Sequence, residues 1–312
     1  MNLRLSSAGE NMAQRCWIFS VLLAILIVAF RSELVLLART TFESDYYSYI
    51  SLLPFLTLYF IWSERKRIFA FPRYSGLWAG LFFACALLIL VLLVKYSSLL
   101  ESSKVLSLAI LAFLLFVVAI FALCFGTAAL RAASFPLLLI ALMVPPPQQV
   151  IDKIIYSLQA GSAGLVYLFF DLARVPVLRE GFTFSLPGMT IEIAKECSGI
   201  RSTTAIGIII LLFSHMALKT KSRKILLLLT VVPFSILKNA VRIGTLTLLA
   251  IHVDPGFLHG WLHQSGGFLF FLLTLAMILP LVTLLHRSEV QNSEGRQLRG
   301  SSAVLIQPPS LI

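Results

Sequence analysis

Residues 206–213 read I-G-I-I-I-L-L-F, and just before them residues 194–202 read A-K-E-C-S-G-I-R-S. The first stretch lies in an apolar block at 199 to 218, which is long enough to cross a bilayer as a helix. The second places a cysteine, an acid and two cations within seven residues at the start of that block. The fold therefore depends on how many such apolar blocks the chain contains. The function depends on which side chains lie near the start of the block at 199 to 218.

The whole chain has the composition of an integral membrane protein. Of its 312 residues, 59% are hydrophobic and 12% are charged, and the mean hydropathy is +0.93. Soluble domains have roughly 45–50% apolar and about 25% charged residues. We predict an all-α polytopic membrane protein with about eight transmembrane helices, in one transmembrane domain at 1–286. The predicted spans are the apolar blocks at 17 to 38, 47 to 62, 77 to 94, 105 to 125, 135 to 147, 199 to 218, 225 to 251 and 264 to 285.

The charge pattern predicts the orientation of these spans. A net charge of +11 would suggest a nucleic-acid partner for a soluble protein, but here the basic residues concentrate in short connections such as E-R-K-R at 64–67 and K-T-K-S-R-K at 219–224. Cytoplasmic loops carry the excess of Lys and Arg, so both termini are predicted in the cytoplasm. The segments at 148–197 and 252–263 then lie outside, and no nucleic-acid partner is expected.

The external segment and the tail carry patterns of their own. The fifth block ends in P-P-P at 145–147, which cannot continue a helix. Apolar residues at helical spacing follow from 148, and this part is expected to lie along the membrane surface or to pack among the spans. Alternation around Pro187-Gly188 predicts a short external β-hairpin that leads to Cys197. The polar residues 287–312 are predicted to form a disordered cytoplasmic tail.

Cys197 is the one cysteine of four that is expected on the external side, which argues against a disulfide framework. A lone cysteine in a membrane protein is usually a small packing residue. Here the following helix is expected to start near Ser198, and a helix N-terminus favours a thiolate over a thiol. Arg201, four residues on, would share the helical face and add a positive charge. The alternative for Arg201 is an arginine that snorkels to the interface.

Cations within spans, or at their edges, need individual reasons. A guanidinium inside a span costs several kcal/mol, so by default it faces the protein interior or a water-filled cavity. Arg242 lies with Asn239 in the outer half of the block at 225 to 251, and we expect it on the same side of the membrane as Cys197. The cations of this kind are Arg31, Arg201, Lys238 and Arg242.

Three histidines are expected on that same surface, because His252, His259 and His263 fall in the next external loop. A metal site is one interpretation. However, Cys197 is the only other soft ligand expected nearby and Arg242 would repel a cation, so neither a metal nor another cofactor is expected. His263 is best placed to project into a cavity between helices, and His259, one turn earlier, is the alternative.

A nucleophile, an imidazole and a fixed cation on one face are the parts that acyl transfer requires. The thiolate attacks a carbonyl, the histidine moves the proton and the arginine stabilises the developing oxyanion. Two other interpretations stay open. A transporter or channel component would use Arg242 to line a substrate path but leaves Cys197 without a role. A non-catalytic membrane component of exopolysaccharide export would tolerate replacement of Cys197 by serine.

Four motifs in a fixed order connect the chain to a known family. They are F-P-L-L-L-I-A-L-M-V-P-P-P at 135–147, E-I-A-K-E-C-S-G-I-R-S at 192–202, N-A-V-R-I at 239–243 and a late external histidine. Together they resemble the exosortase/archaeosortase family of polytopic membrane transpeptidases. The resemblance covers about residues 40 to 285, nearly the whole predicted membrane domain.

The resemblance implies catalytic roles for Cys197 as the nucleophile, Arg242 as the essential arginine and His263 as the histidine. His263 is chosen for its H-x-x-x-G spacing to Gly267. By the resemblance Arg201 belongs to the cysteine motif. The other candidate supporting residues come from the sequence itself: Asn239 lies in the same block as Arg242, and His259 is the alternative histidine.

The resemblance also implies a substrate and a location. The enzyme would sit in a bacterial inner (cell) membrane with its active site on the periplasmic or external face. It would act as a protease or transpeptidase on secreted proteins whose C-terminal sorting signal combines a Pro-Glu-Pro motif, a transmembrane helix and a basic cluster. The cleaved protein would pass to a membrane lipid or another cell-surface acceptor. Such systems often accompany exopolysaccharide production.

Overall fold

The protein is described by a computed structural model that covers residues 2–44, 46–70, 74–258 and 267–304. Its residues divide into two compact units, Met1–Ile151 and Asp152–Ile312. Within the described ranges, seven helical segments are long and apolar enough to cross a membrane. They are Met12–Ala29, Gly76–Leu99, Ser102–Ala132, Gln148–Leu172, Lys195–Ala217, Lys221–His252 and Gly267–Glu289. The predicted class, an all-α polytopic membrane protein, is confirmed.

In the first unit, all the regular secondary structure that is described is helical. Its helices are α1 (Asn2–Ala29), α2 (Arg31–Glu43), α3 (Leu53–Ser63), α4 (Arg65–Ile68), α5 (Gly76–Tyr96), α6 (Ser102–Ala132) and α7 (Ser134–Ala141), with 3₁₀ turns at Ser48–Leu52 and Ser97–Leu99. The predicted block at 47 to 62 corresponds to a shorter apolar helical segment, Ser48–Ser63.

Helix α6 is the centre of the first unit, and α1 and α5 pack against it. Near its end the backbone at Gly126 (φ 85°, ψ 179°) interrupts the helix, in a region that glycine enters without a Cβ clash. Helix α5 buries Ala79, Ala86 and Leu93, which are spaced seven residues apart. The buried positions of α5 therefore form one narrow stripe along the helix.

The fifth predicted block differs from a regular span. Only α7, of eight residues, is helical within it, and the chain leaves the helix before the three prolines. The block nonetheless brings the chain back beside the first turns of α6. There Ser107 Oγ donates a hydrogen bond to the carbonyl oxygen of Pro145 (2.6 Å), and the Tyr47 hydroxyl donates one to that of Pro146 (2.9 Å).

The residues expected along the membrane surface or among the spans form one continuous helix, α8 (Gln148–Leu172). It is long enough to cross a membrane, although it is the least hydrophobic of the candidate spans. Its buried face follows helical periodicity and includes two polar side chains, Gln159 and Ser162. This polar pair faces the protein interior and anchors the segment described below.

A small antiparallel sheet follows α8 in the second unit. Its strands are β1 (Leu178–Glu180), β2 (Thr183–Leu186) and β3 (Met189–Glu192), in the order β1-β2-β3 with Phe184 opposite Ile191. The predicted hairpin around Pro187-Gly188 is β2–β3, and β1 adds one strand to it. Phe184 and Leu186 pack in one hydrophobic cluster with Val166 and Phe170 of α8, so the sheet is held firmly on that helix.

The remaining helices of the second unit are α9 (Ile200–Ala217), α10 (Lys221–Leu229), α11 (Val231–His252) and α12 (Gly267–Val304). Helices α8 and α11 pack closely at Gly244 of α11. A Cβ at that position would lie 2.6 Å from the Phe169 ring of α8, so a larger residue would not fit. Helix α12 continues to Val304, into the tail for which the sequence predicts disorder. At the start of that tail the carboxylate of Glu289 accepts hydrogen bonds from the backbone amides of Lys219 (3.0 Å) and Thr220 (2.6 Å) ahead of α10.

Candidate active site

Cys197 lies in a 3₁₀ turn, Lys195–Ser198, that connects the sheet to α9. The next residue, Gly199, has a left-handed backbone (φ 78°, ψ 13°), and α9 begins only at Ile200. Cys197 and Arg201 are therefore not on one continuous helical face, and that expectation is wrong. Glycine at 199 allows the chain to turn sharply, so that the cysteine precedes the helix instead of opening it.

Two hydrogen bonds fix the backbone around Cys197 to the neighbouring helices, and a third joins those two helices to each other. Gln159 Nε2 on α8 donates to the carbonyl oxygen of Ile193 (2.8 Å). Asn239 Nδ2 on α11 donates to the carbonyl oxygen of Cys197 (2.8 Å) and to Ser162 Oγ on α8 (3.1 Å). The turn that presents the thiol is thus positioned by side chains from two helices, α8 and α11.

Cys197, Asn239 and Arg242 line one cavity of about 70 Å³. This is the volume of roughly two water molecules in the liquid, so there is room for a few atoms beside the thiol. The structure therefore brings together three of the residues that the sequence singled out. The other residues that line the cavity are Ile191, Glu192, Ile193, Ile243, Leu246 and Thr247.

The polar groups of this cavity are partly removed from solvent. Asn239 is 1% exposed, while Cys197 and Arg242 are half-buried. Among the described residues, Asn239 Oδ1 has no hydrogen-bond partner, although the amide nitrogen of the same side chain makes two bonds. A guanidinium, a thiol and a buried amide at one small cavity can act on a polarised carbonyl group.

Lys238 adds a second buried cation to this region. Its side chain is on the same side of α11 as Arg242, because the two residues are one helical turn apart. Its ammonium donates a hydrogen bond to Ser202 Oγ on α9. The sequence marked Lys238 only as an intramembrane cation that needs a reason, and the contact with Ser202 was not predictable from it.

The remaining predicted residues fall elsewhere. Arg201 is exposed at the start of α9, and His252 is exposed at the end of α11. His259 and His263 lie outside the residues that the structure describes. The assignment of the catalytic imidazole to His263, with His259 as the alternative, stays a prediction.

Comparison with known proteins gives one match. Residues 38–280 match the model of a protein family described as transmembrane exosortase. This range includes Cys197, Asn239 and Arg242 as well as the predicted histidines. No curated protein and no solved structure matches the chain.

Proposed function

The chain belongs to the transmembrane exosortase family, a family of cysteine-type transpeptidases, and we propose that it cleaves C-terminal sorting signals of secreted proteins and transfers them to a cell-surface acceptor. The observation that carries the proposal is the cavity that Cys197 and Arg242 line together. In a transporter or an inert component of exopolysaccharide export, a thiol in this position would have no role.

In the first half of the proposed reaction, the substrate is cut. The Cys197 thiolate attacks the carbonyl carbon of the scissile peptide bond, and the carbonyl oxygen becomes an oxyanion. The Arg242 guanidinium stabilises this oxyanion from the wall of the cavity. As the carbon–nitrogen bond breaks, the imidazolium of His263, which carries the proton taken from the Cys197 thiol, gives that proton to the leaving amine. The products are a thioester on Cys197 and the released C-terminal signal.

In the second half, a nucleophilic group of the acceptor attacks the thioester carbonyl and loses its proton to the same imidazole. The carbon–sulfur bond breaks and Cys197 returns as a thiolate. The acceptor is a membrane lipid or another molecule of the cell surface. If water takes its place, the same site acts as a protease.

The substrate and the location follow from the resemblance and from the charge bias. The substrate is a secreted protein with a Pro-Glu-Pro-type signal, a transmembrane helix and a basic cluster. The site faces the periplasm of a bacterial inner membrane, and both chain termini lie in the cytoplasm. The basic residues at 219–224 support this orientation.

The test is to trap the thioester. The purified protein in detergent is incubated with a synthetic sorting-signal peptide without an acceptor, and the adduct is located by mass spectrometry. We expect an acyl group on Cys197 that hydroxylamine removes, and none on a Cys197→Ser variant. Cleavage that persists in a Cys197→Ala variant would assign the chemistry to another residue. If neither cleavage nor adduct is found with a range of signal peptides, the transporter or export-component interpretation takes precedence.

A further inference from the structure

Lys238 is a buried lysine whose role the proposed reaction does not use. Its side chain is 5% exposed within a segment long enough to span a membrane. Among the described residues, no carboxylate lies within salt-bridge distance of its ammonium group. Burying an ammonium without a counter-ion is costly, so its polar contact is expected to matter.

The contact leads directly to the turn that carries the proposed nucleophile. The Lys238 ammonium donates to Ser202 Oγ, and Ser202 Oγ donates to the carbonyl oxygen of Gly199 (2.8 Å). The direction of this relay is fixed, because an ammonium group can only donate. The serine oxygen must accept from Lys238, which leaves its own proton for Gly199.

The same turn is approached by the ammonium itself. A Cβ on Gly199 would lie 3.4 Å from Lys238 Nζ and 3.4 Å from Asn239 Oδ1. Two consecutive residues of α11 thus surround one turn: Asn239 bonds to the carbonyl of Cys197, and Lys238 reaches the carbonyl of Gly199 through Ser202.

We infer that Lys238 is a positioning residue, which holds the Cys197–Gly199 turn against α11 through Ser202 and so fixes the thiol relative to Arg242. Arg242 follows Lys238 by one turn on the same helix, so the turn and the guanidinium share one rigid support. The expected effect on the reaction rate rests on the proposed function, whereas the fixing of the Cys197–Gly199 turn by Lys238 does not. A displacement of about 1 Å at a reacting group can reduce a rate by about 10²-fold.

Four variants and two controls test this inference in the full chain. Lys238→Met keeps the length of the side chain but removes the charge and the donor. Ser202→Ala removes the hydroxyl and so breaks the relay, whereas Ser202→Thr keeps a hydroxyl at this position. The double variant combines Lys238→Met with Ser202→Ala. Lys221→Met, on the exposed start of α10, is the control for the lysine. Thr204→Val is the control for the hydroxyl, because Thr204 Oγ1 donates to the carbonyl of Ile200 (3.0 Å) and not to Gly199.

The first measurement is hydrogen–deuterium exchange in detergent micelles, followed on the peptide that spans 195–203. We expect faster exchange in Lys238→Met and Ser202→Ala, wild-type exchange in Ser202→Thr and in both controls, and no further increase in the double variant. The last result follows because both changes break one relay, so their effects are not additive. Unchanged exchange in both single variants would overturn the inference.

The second measurement separates positioning from a structural role. With a sorting-signal peptide, kcat should fall between about tenfold and about 10²-fold in Lys238→Met and Ser202→Ala, with KM unchanged, and Ser202→Thr should recover it. A rise in KM at unchanged kcat would instead make Lys238 a substrate-binding residue and overturn the inference. If Lys238→Met does not fold, the comparison of Ser202→Ala with Ser202→Thr decides.

The two proposals can fail separately. If the wild-type protein processes no sorting signal, the proposed function fails, but the exchange measurement still tests whether Lys238 holds the turn. If processing is normal and exchange responds to neither variant, the proposed function stands and the positioning role is excluded.

Discussion

The side chain of Asn239 is hydrogen-bonded to the backbone of Cys197: its amide nitrogen lies 2.8 Å from the cysteine carbonyl oxygen. The same nitrogen lies 3.1 Å from Ser162 Oγ, so Asn239 connects the cysteine turn to both α8 and α11. If Cys197 is the nucleophile, as proposed, Asn239 affects the reaction without touching the substrate.

Asn239→Ala should therefore reduce both stability and processing. Leaving the Cys197 carbonyl without its donor costs about 1–3 kcal/mol if no water replaces it. Asn239→Asp should be at least as harmful, because an oxygen would face the carbonyl oxygen in place of the amide nitrogen. Thermal unfolding in detergent and a processing assay measure the two effects. Gln149→Ala is the matched control, since that amide bonds to Glu101 on the exposed surface (3.0 Å). Normal melting and normal processing in Asn239→Ala would contradict the anchoring role.

The cysteines should differ sharply in importance. Cys197→Ala should abolish processing in cells while the protein remains folded, because the residue is small and lies in a turn ahead of α9. Replacing Cys16, Cys85 and Cys124 together by alanine should leave most of the activity. Of these three, Cys124 alone is buried, so some loss of packing energy is expected there. Normal maturation of the substrate by Cys197→Ala would make the thiol structural and end the transpeptidase interpretation.

Arg242→Lys should lose most of the activity although the charge is kept. Lysine lacks the planar guanidinium that can hold an oxyanion or a carboxylate with two hydrogen bonds. We expect kcat/KM for a sorting-signal peptide to fall by about 10²-fold, the size of effect seen when one oxyanion donor is lost. Arg131→Lys, at the exposed end of α6, serves as the control. Near-normal processing by Arg242→Lys would show that this arginine contributes only its charge.

Gly199→Ala should be destabilising by about 1–2 kcal/mol, because a residue with a Cβ pays this to adopt a left-handed backbone. Its Cβ would lie 3.4 Å from Lys238 Nζ, which is an ordinary van der Waals contact, so the expected cost comes from the backbone and not from crowding. Asparagine tolerates this conformation better, so Gly199→Asn should be milder. Gly207→Ala within α9 is the control, since among the residues that the structure describes its Cβ would meet Val231 alone, at 3.8 Å. Equal unfolding temperatures for Gly199→Ala and Gly207→Ala would contradict the strain argument.

The orientation can be measured independently of activity. Alkaline phosphatase fused after the sheet, in the segment 193–197, should be active, and a fusion within 219–224 should be inactive, because that enzyme folds only outside the cytoplasm. An active fusion within 219–224 would reverse the topology and place Cys197 on the wrong side for secreted substrates.

The membrane class and the positions of most spans could be predicted because they depend on local composition. The β2–β3 hairpin could be predicted as well, since Pro187-Gly188 marks its turn. Strand β1 has three residues, too few to show an alternating pattern, so the sequence does not predict it. Helix α7 ends earlier than the apolar pattern indicates, because hydropathy does not show where the backbone of residues 142–144 leaves the helix.

Within the site, Asn239 and Arg242 could be predicted because polar groups are costly in an apolar block. The sequence predicts a start of α9 near Ser198, whereas the helix begins at Ile200, because the left-handed backbone of Gly199 separates the cysteine turn from the helix. The contact of Lys238 with Ser202 joins residues 36 positions apart on two helices. It depends on how each helix is rotated about its axis, which a single sequence does not specify.

The narrow stripe on α5 implies two kinds of mutational tolerance within one helix. The buried stripe that meets α6 consists of Ala79, Ala86 and Leu93. Whether a substitution there is tolerated depends on the size of the new side chain, because a larger one at either alanine would push the helices apart. Most other positions of α5 face the surroundings, where any apolar residue of good helix propensity suffices. In a saturation mutagenesis scan of this helix, the positions that do not tolerate substitution should recur every seven residues, although the segment is apolar along most of its length.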